Sequence, residues 1–314
     1  MKITALAGGV GGAKLASGLA QILPPDDLSV IVNIGDDFDH LGLRICPDLD
    51  TVCYTLAGLA NPETGWGRAH ETWNFMDSLT QLGGPGWFRL GDRDLATHLE
   101  RTNRLASGQP LSRITASFCT AWGIHHTILP ASDHLIPTIV ETVEGELPFQ
   151  EYFVARRCEP VVTGFRFGGV EQSAPAPGVL ASIQSSDLVV ICPSNPWVSI
   201  DPILAIPGIR VALESKPVIA VSPIIGGKAV KGPAAKMYSE LGIAPSAATV
   251  ADHYGPLLNG FVLDRVDTEY NNVLRTGGLD VFTADTIMRS QADRAHLADQ
   301  VLEFAAESGL IPNP

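Results

Sequence analysis

Apolar residues in this chain fall into short unbroken runs rather than long alternating stretches. Ile3–Ala7 is the first, followed by Ser29–Ile34, Leu188–Cys192, Pro217–Val221 and Phe261–Leu263. Each is brief, rich in β-branched residues and closed by turn formers, as strands covered on both faces would be. Helical spacing fills the intervals. Leu49, Val52, Cys53 and Leu56 form one apolar stripe behind Pro47, and Leu95, Leu99 and Leu105 form another. A third segment has Pro233 at its first position and Gly242 beyond its last, the asymmetry that marks helix ends. Leu297, Val301, Phe304 and Ala305 repeat the spacing near the end, with Gly309 as the stop. Strand and helix signals that alternate predict a mostly parallel sheet with helices on its faces.

The middle of the chain departs from this rhythm. Residues 60–125 carry four of the five tryptophans, helical patterns and no convincing buried strand, which predicts a helical insertion beside the sheet. Thr138–Glu144 and Leu147–Val154, joined at Gly145, partly alternate and predict a β-hairpin. The stretch Ser173–Gly178 is the best internal linker but is too short to divide the chain. Residues 1–314 therefore read as one α/β unit with an insertion at about 60–125.

Composition narrows the class. With 45% hydrophobic residues the chain can build a sizeable core, yet no apolar run approaches the roughly 20 residues that span a bilayer. Only Lys2 precedes the first strand, so no leader is expected and the cytoplasm is the expected address. A formal net charge of −13 argues against nucleic acid as a partner. Cys46, Cys53, Cys119, Cys158 and Cys192 are scattered, as thiols kept reduced would be.

The candidate chemistry begins after the first strand. Gly8, Gly9, Gly11 and Gly12 allow a tight turn whose peptide N–H groups face an anion, and the following helix adds its positive end. Lys14 stands where the dinucleotide fingerprint needs glycine, and Ala13-Lys14-Leu15 replaces the Gly-Lys-Ser/Thr of a P-loop. A phosphate loop of neither standard type remains, or a glycine turn without ligand. Asp36, Asp37 and Asp39 follow the second strand, and Asp48 and Asp50 open the next helix. Asp48 fits equally an N-cap or a metal ligand. Asp50, roughly 200° further around the helix on 3.6-residue geometry, is not explained by capping. Carboxylates near a phosphate site suit Mg²⁺, or one can take a proton from an attacking hydroxyl. Asp92 reads as a cap, and Arg93 as either a surface partner of Asp94 or a ligand for phosphate or a planar ring. His98 alone reads as structural. Two later loops, Cys192–Pro196 and Val221–Lys228, have the form of the first and would reach the same sheet edge.

These segments together resemble a known family. Gly-Gly-Val-Gly-Gly-Ala-Lys14, Val-Asn-Ile-Gly-Asp-Asp37, Ile-Cys-Pro-Asp-Leu-Asp-Thr51, Leu-Gly-Asp-Arg-Asp-Leu-Ala-Thr-His98, Leu-Pro-Ala-Ser-Asp133, Pro-Ser-Asn-Pro196 and Val-Ser-Pro-Ile-Ile-Gly-Gly227 are similar to the 2-phospho-L-lactate transferases of coenzyme F420 biosynthesis. The resemblance runs in order from Met1 to about Met288. It implies a Rossmann-like three-layer α/β/α core with a small helical part, Mg²⁺ dependence and a homodimer. It also implies transfer of a phospho-acid (2-phospho-L-lactate, phosphoenolpyruvate or phosphoglycerate) from its guanosine diphospho conjugate to the deazaflavin Fo, with release of GMP. On the matching positions, Asp50 and Arg93 would contact Fo, with Asp50 as base or as orienter of the attacking hydroxyl. Gly8, Gly9, Gly11, Gly12, Lys14, Ser194, Asn195, Pro196, Ser222, Gly226 and Gly227 would hold the guanosine conjugate. Asp36, Asp37 and Asp48 are the candidate metal ligands. A sister family of regulatory proteins that bind uridine-diphosphate sugars opens with a similar glycine loop and is the alternative. The Leu-Gly-Asp-Arg-Asp-Leu-Ala-Thr-His98 segment counts against it.

Overall fold

Seven strands form one parallel sheet in the computed structural model, which describes residues 1–312. They are β1 (Ile3–Ala7), β2 (Leu28–Val32), β3 (Thr127–Pro130), β4 (Leu188–Ile191), β5 (Val218–Val221), β6 (Gly260–Asp264) and β7 (Asp280–Ala284). Across the sheet they run β7-β6-β5-β4-β1-β2-β3, each pair parallel, with Ala7 beside Val32 and Leu6 beside Ile191. The order reverses between β1 and β4, the switch point where open α/β sheets bind ligands. Every residue of β1, β4, β5 and β6 is buried. Successive side chains point to opposite faces, so unbroken burial requires a layer on each side, as the short apolar runs predict. β3 and β7 lie at the sheet's edges and begin with exposed Thr127 and Asp280. Their partial exposure dilutes the apolar signal, which is why the sequence pattern omits them.

The flanking helices used below are α1 (Gly9–Ile22), α2 (Pro47–Leu56), α3 (Asn74–Gln81), α4 (Asp92–Ala106), α5 (Leu111–Ala121) and the C-terminal α6 (Gln291–Glu307). α1 packs against both α2 and α6. Between residues 60 and 125 the regular elements are α3, α4 and α5. Ile45, Met76 and Leu90 form a small apolar cluster of their own, apart from the main core.

The expected hairpin exists but is shorter and gains a strand. Thr138–Thr142 pairs with Gly145–Pro148 on one side and with Val162–Phe167 on the other, all antiparallel. Pro148 has no N–H for the ladder, and Glu151–Ala155 turns helical, burying Phe149 and Tyr152. The arm expected to reach Val154 therefore stops at Pro148. Among the described residues no helix is long and apolar enough to cross a membrane.

Candidate active site

A cavity of about 570 Å³ opens at the C-terminal edge of the sheet, where the segments after β1, β2, β4, β5 and β7 meet. Gly8, Gly9 and Gly11 line it, and the loop leads directly into α1. Gly9 has φ +63, a backbone that side chains disfavour, and a Cβ on Gly11 would collide with the carbonyl oxygen of Pro193. Gly12 does not line the cavity: it packs against Ala7 and Ser194 and lets α1 sit close on the sheet. Ser194 lines the cavity but is committed to the loop itself. Its Oγ donates to the Gly8 carbonyl at 2.8 Å and accepts the Gly8 N–H at 3.2 Å. The Gly9 N–H faces Asp48. The N–H groups of Val10 and Gly11 are left as helix-start donors toward the cavity.

Asp48 is not the cap of α2. The chain enters that helix at Cys46 and Pro47, and the Asp48 carboxylate turns to the glycine loop. Asn33 Nδ2 donates to Asp48 Oδ2 at 2.9 Å and to Asp36 Oδ1 at 3.0 Å, drawing the two carboxylates together at the cavity wall. Burial is the largest cause that raises both carboxyls, Asp48 to about 6 and Asp36 well above the usual range. The charge of Asp48 adds to the rise at Asp36. Two buried carboxyls this close, with no basic side chain among their hydrogen-bond partners, suit a hard divalent cation with oxygen ligands. Asp37 does not join them. It is 3% exposed, outside the cavity lining and hydrogen-bonded to Cys46, with burial pushing its carboxyl to about 8. Asp39 pairs with Arg44 on the surface.

On the opposite side of α2, Asp50 reaches the cavity through a buried network. Arg101 holds Asp50 Oδ1, and His98 Nδ1 lies 3.6 Å from Oδ2. Asp94, His98 and Arg101 occupy positions i, i+4 and i+7 of α4, one helical face directed at α2. Asp94 accepts from Tyr54 Oη at 2.6 Å, so it is not a surface partner of Arg93. Burial raises the Asp50 carboxyl, while Arg101 and His98 pull it down. Asp50, Asp94 and His98 each offer one ligand atom within 4.8 Å of the others. The imidazole makes this group less suited to Mg²⁺ than Asp36 and Asp48. The i, i+4, i+7 spacing is present in the sequence, but the sequence reading takes His98 as structural and Asp94 as a surface partner of Arg93, and it omits Arg101.

Arg93 lies on the adjacent, exposed face of α4 and does not line the cavity. Arg89 does, with its guanidinium 4.1 Å from the centre of the Trp73 ring. Nor is Asp92 the cap of its own helix. It accepts the N–H groups of Asn74 and Phe75 at the start of α3, while Glu71 accepts those of Arg93 and Asp94 at the start of α4. The two helices exchange caps.

The later loops divide. Asn195 and Ser222 line the cavity with Ser194, whereas Pro196 is the buried first residue of the next helical turn. Gly226 and Gly227 form the tip of a hairpin between Ile224–Ile225 and Lys228–Ala229. They do not line the cavity, and the Gly226 N–H is taken by Asp267. A glycine pair at a hairpin tip and one in a phosphate loop look alike in sequence. Lys14 lines the cavity and donates to the Met288 carbonyl at 2.7 Å. Lys231, which the sequence reading omits, lines it too and bonds the Thr64 carbonyl at 2.7 Å. Also omitted are the aromatic walls Trp66 and Phe88 and the stacked pair Phe149–Phe153, whose rings lie 5.5 Å apart and 7° from parallel.

A cavity at the switch point, with helix-start donors, lysines and buried carboxylates, is the arrangement by which α/β folds receive phosphorylated ligands. Residues 3–301 match the family described as 2-phospho-L-lactate transferase CofD, and the chain belongs to that family of transferases in coenzyme F420 biosynthesis. It is 45% identical to a phosphoenolpyruvate transferase of Streptomyces griseus subsp. griseus, over 98% of this chain and 99% of that one. Proteins of the same name from Thermobifida fusca (42%, covering 98% of each chain) and Mycobacterium tuberculosis (43%, covering 84% and 86%) are also similar. A UPF0052-family structure from Bacillus halodurans superposes with a TM-score of 0.64 at 15% identity, over 96% of this chain and 98% of that one. At that identity the likeness speaks for the fold alone.

Proposed function

We propose that this transferase moves a phosphoenolpyruvate moiety, with its single phosphate, from its guanosine diphospho conjugate to the terminal hydroxyl of Fo, releasing GMP. The observation that carries this is the joining of two sides in one cavity: a phosphate-binding helix start at Gly9–Gly11 and a buried carboxylate, Asp50, on the facing helix α2. The choice of acid rests on the relatives named phosphoenolpyruvate transferase at 42–45% identity. In the transfer, the Fo oxygen forms a bond to the phosphorus that keeps the acid, and the bond to the GMP oxygen breaks. The hydroxyl proton passes to Asp50 Oδ2. Val10 and Gly11 N–H and Lys14 neutralise the phosphates, and Arg89, rather than Arg93, faces the acceptor.

Mg²⁺ belongs to the same reading. Asp36 and Asp48 would hold it, and it would supply charge neutralisation beside the phosphates. A carboxylate such as Asp48 at the same helix start as a phosphate otherwise repels it. The stacked Phe149–Phe153 pair and Trp66 offer flat surfaces for guanine and deazaflavin rings. A homodimer is also proposed, on family resemblance, and a monomer mass by light scattering at micromolar concentration would exclude it.

Mass spectrometry of the product formed from Fo, Mg²⁺ and each guanylated acid tests the proposal. The expected product is the deazaflavin carrying phosphoenolpyruvate, with stoichiometric GMP. Release of GMP without a modified deazaflavin would make the protein a hydrolase.

A further inference from the structure

The network around Asp50 is held by a buried guanidinium. Arg101 is 1% exposed and does not line the cavity. Its Nη2 holds Asp50 Oδ1, while its Nη1 lies 3.2 Å from the Arg44 carbonyl oxygen and 3.3 Å from His98 Nδ1. A guanidinium has donors and no acceptor. His98 Nδ1 must therefore accept, which puts the proton of the neutral ring on Nε2. Nε2 lies 3.4 Å from Asp94 Oδ1, a neighbour whose negative charge suits an N–H in this tautomer, although no hydrogen bond is formed between them. Asp50 Oδ2, 3.6 Å from the accepting Nδ1, receives no hydrogen bond from the ring, and it is buried with no hydrogen-bond partner in the protein.

We propose that Arg101 is a positioning residue. It pins one oxygen of Asp50 and fixes His98 as the Nε2–H tautomer, leaving Asp50 Oδ2 as an uncommitted acceptor for the hydroxyl of the acceptor substrate. The proposal rests on the transfer reading given above. With the proton on Nδ1 instead, the imidazole would offer Oδ2 a hydrogen bond and compete with the incoming hydroxyl. Arg101 thus acts on the substrate only through the two side chains it orders.

Long-range ¹H–¹⁵N NMR of histidine-labelled protein reads the tautomer without substrate. The chain has 8 histidines, and the His98 signals are those lost in H98Q. The Nε2–H pattern is expected at neutral pH in the wild type, and an Nδ1–H pattern overturns the proposal. R101K keeps the charge but loses the forked contact. It should lower kcat by on the order of 10²-fold, the cost of slight misplacement, with KM for the guanosine conjugate unchanged. R101K with wild-type kcat, or with only a raised donor KM, also overturns it. The tautomer measurement needs no change at Arg101 and so decides the matter even where R101K does not fold. A wild-type protein that forms no modified deazaflavin overturns the transfer reading instead, and the tautomer is judged separately.

Discussion

Asp50 has two tasks that one substitution separates poorly, because its carboxylate faces both the cavity and a buried guanidinium. Asp50→Asn should slow turnover by ~10²–10⁴-fold through loss of the proton acceptor. It should also lower the melting temperature, since breaking a buried ion pair costs up to about 3–5 kcal/mol. Kinetics and thermal melts on one preparation check both, and near-normal turnover removes Asp50 from the chemistry. Asp48→Asn tests a different role. The side chain does not cap its own helix; it takes the Gly9 N–H at the start of α1 and shares Asn33 with Asp36, so the variant should raise the Mg²⁺ concentration needed for half-maximal rate. An unchanged Mg²⁺ titration would leave Asp48 as an anchor of the glycine loop only.

Among the elements, the turn from β1 into α1 is set by close contact. Gly11→Ala would drive a methyl group into the Pro193 carbonyl, and overpacking of this kind typically costs about 1–3 kcal/mol. Denaturant melts should show that loss together with weaker binding of the guanosine conjugate, whereas unaltered binding would mean that the loop does not form the phosphate site. This turn was legible in the sequence because its requirements are local: small residues between a buried strand and a helix. Strands β1, β2, β4, β5 and β6 were legible for the same reason. What escaped depends on contacts between distant segments. Only the rotation of α4 against α2 distinguishes Arg93, on the outer face, from Asp94, His98 and Arg101 on the inner one. Only the pairing of Ile224–Ile225 with Lys228–Ala229 shows that Gly226 and Gly227 make a hairpin tip. The Asp92 signal was genuine but assigned to the wrong helix, since a carboxylate before one helix can reach the start of another.

For the whole molecule, buried acids set the response to pH. Asp37 titrates at about 8 in the folded protein against 3.8 for a free carboxyl. Between those values the folded state holds a proton that the unfolded chain has released, so stability falls as pH rises through the window. Asp37→Asn should flatten that slope by up to about 1.4 kcal/mol per pH unit. Urea melts across the window check this, and an unchanged slope would clear Asp37 of the effect. The exchange of caps between α3 and α4 has a consequence of another kind. Glu71 and Asp92 each end one helix's demand for acceptors by lending a side chain from beside the other. Neither helix can fray at its start without exposing donors in its neighbour, so the two should open as one cooperative unit. Hydrogen exchange would then give α3 and α4 a common opening free energy, and Asp92→Ala would speed exchange in both. Since α4 carries Asp94, His98 and Arg101, any excursion of that unit also dismantles one wall of the cavity.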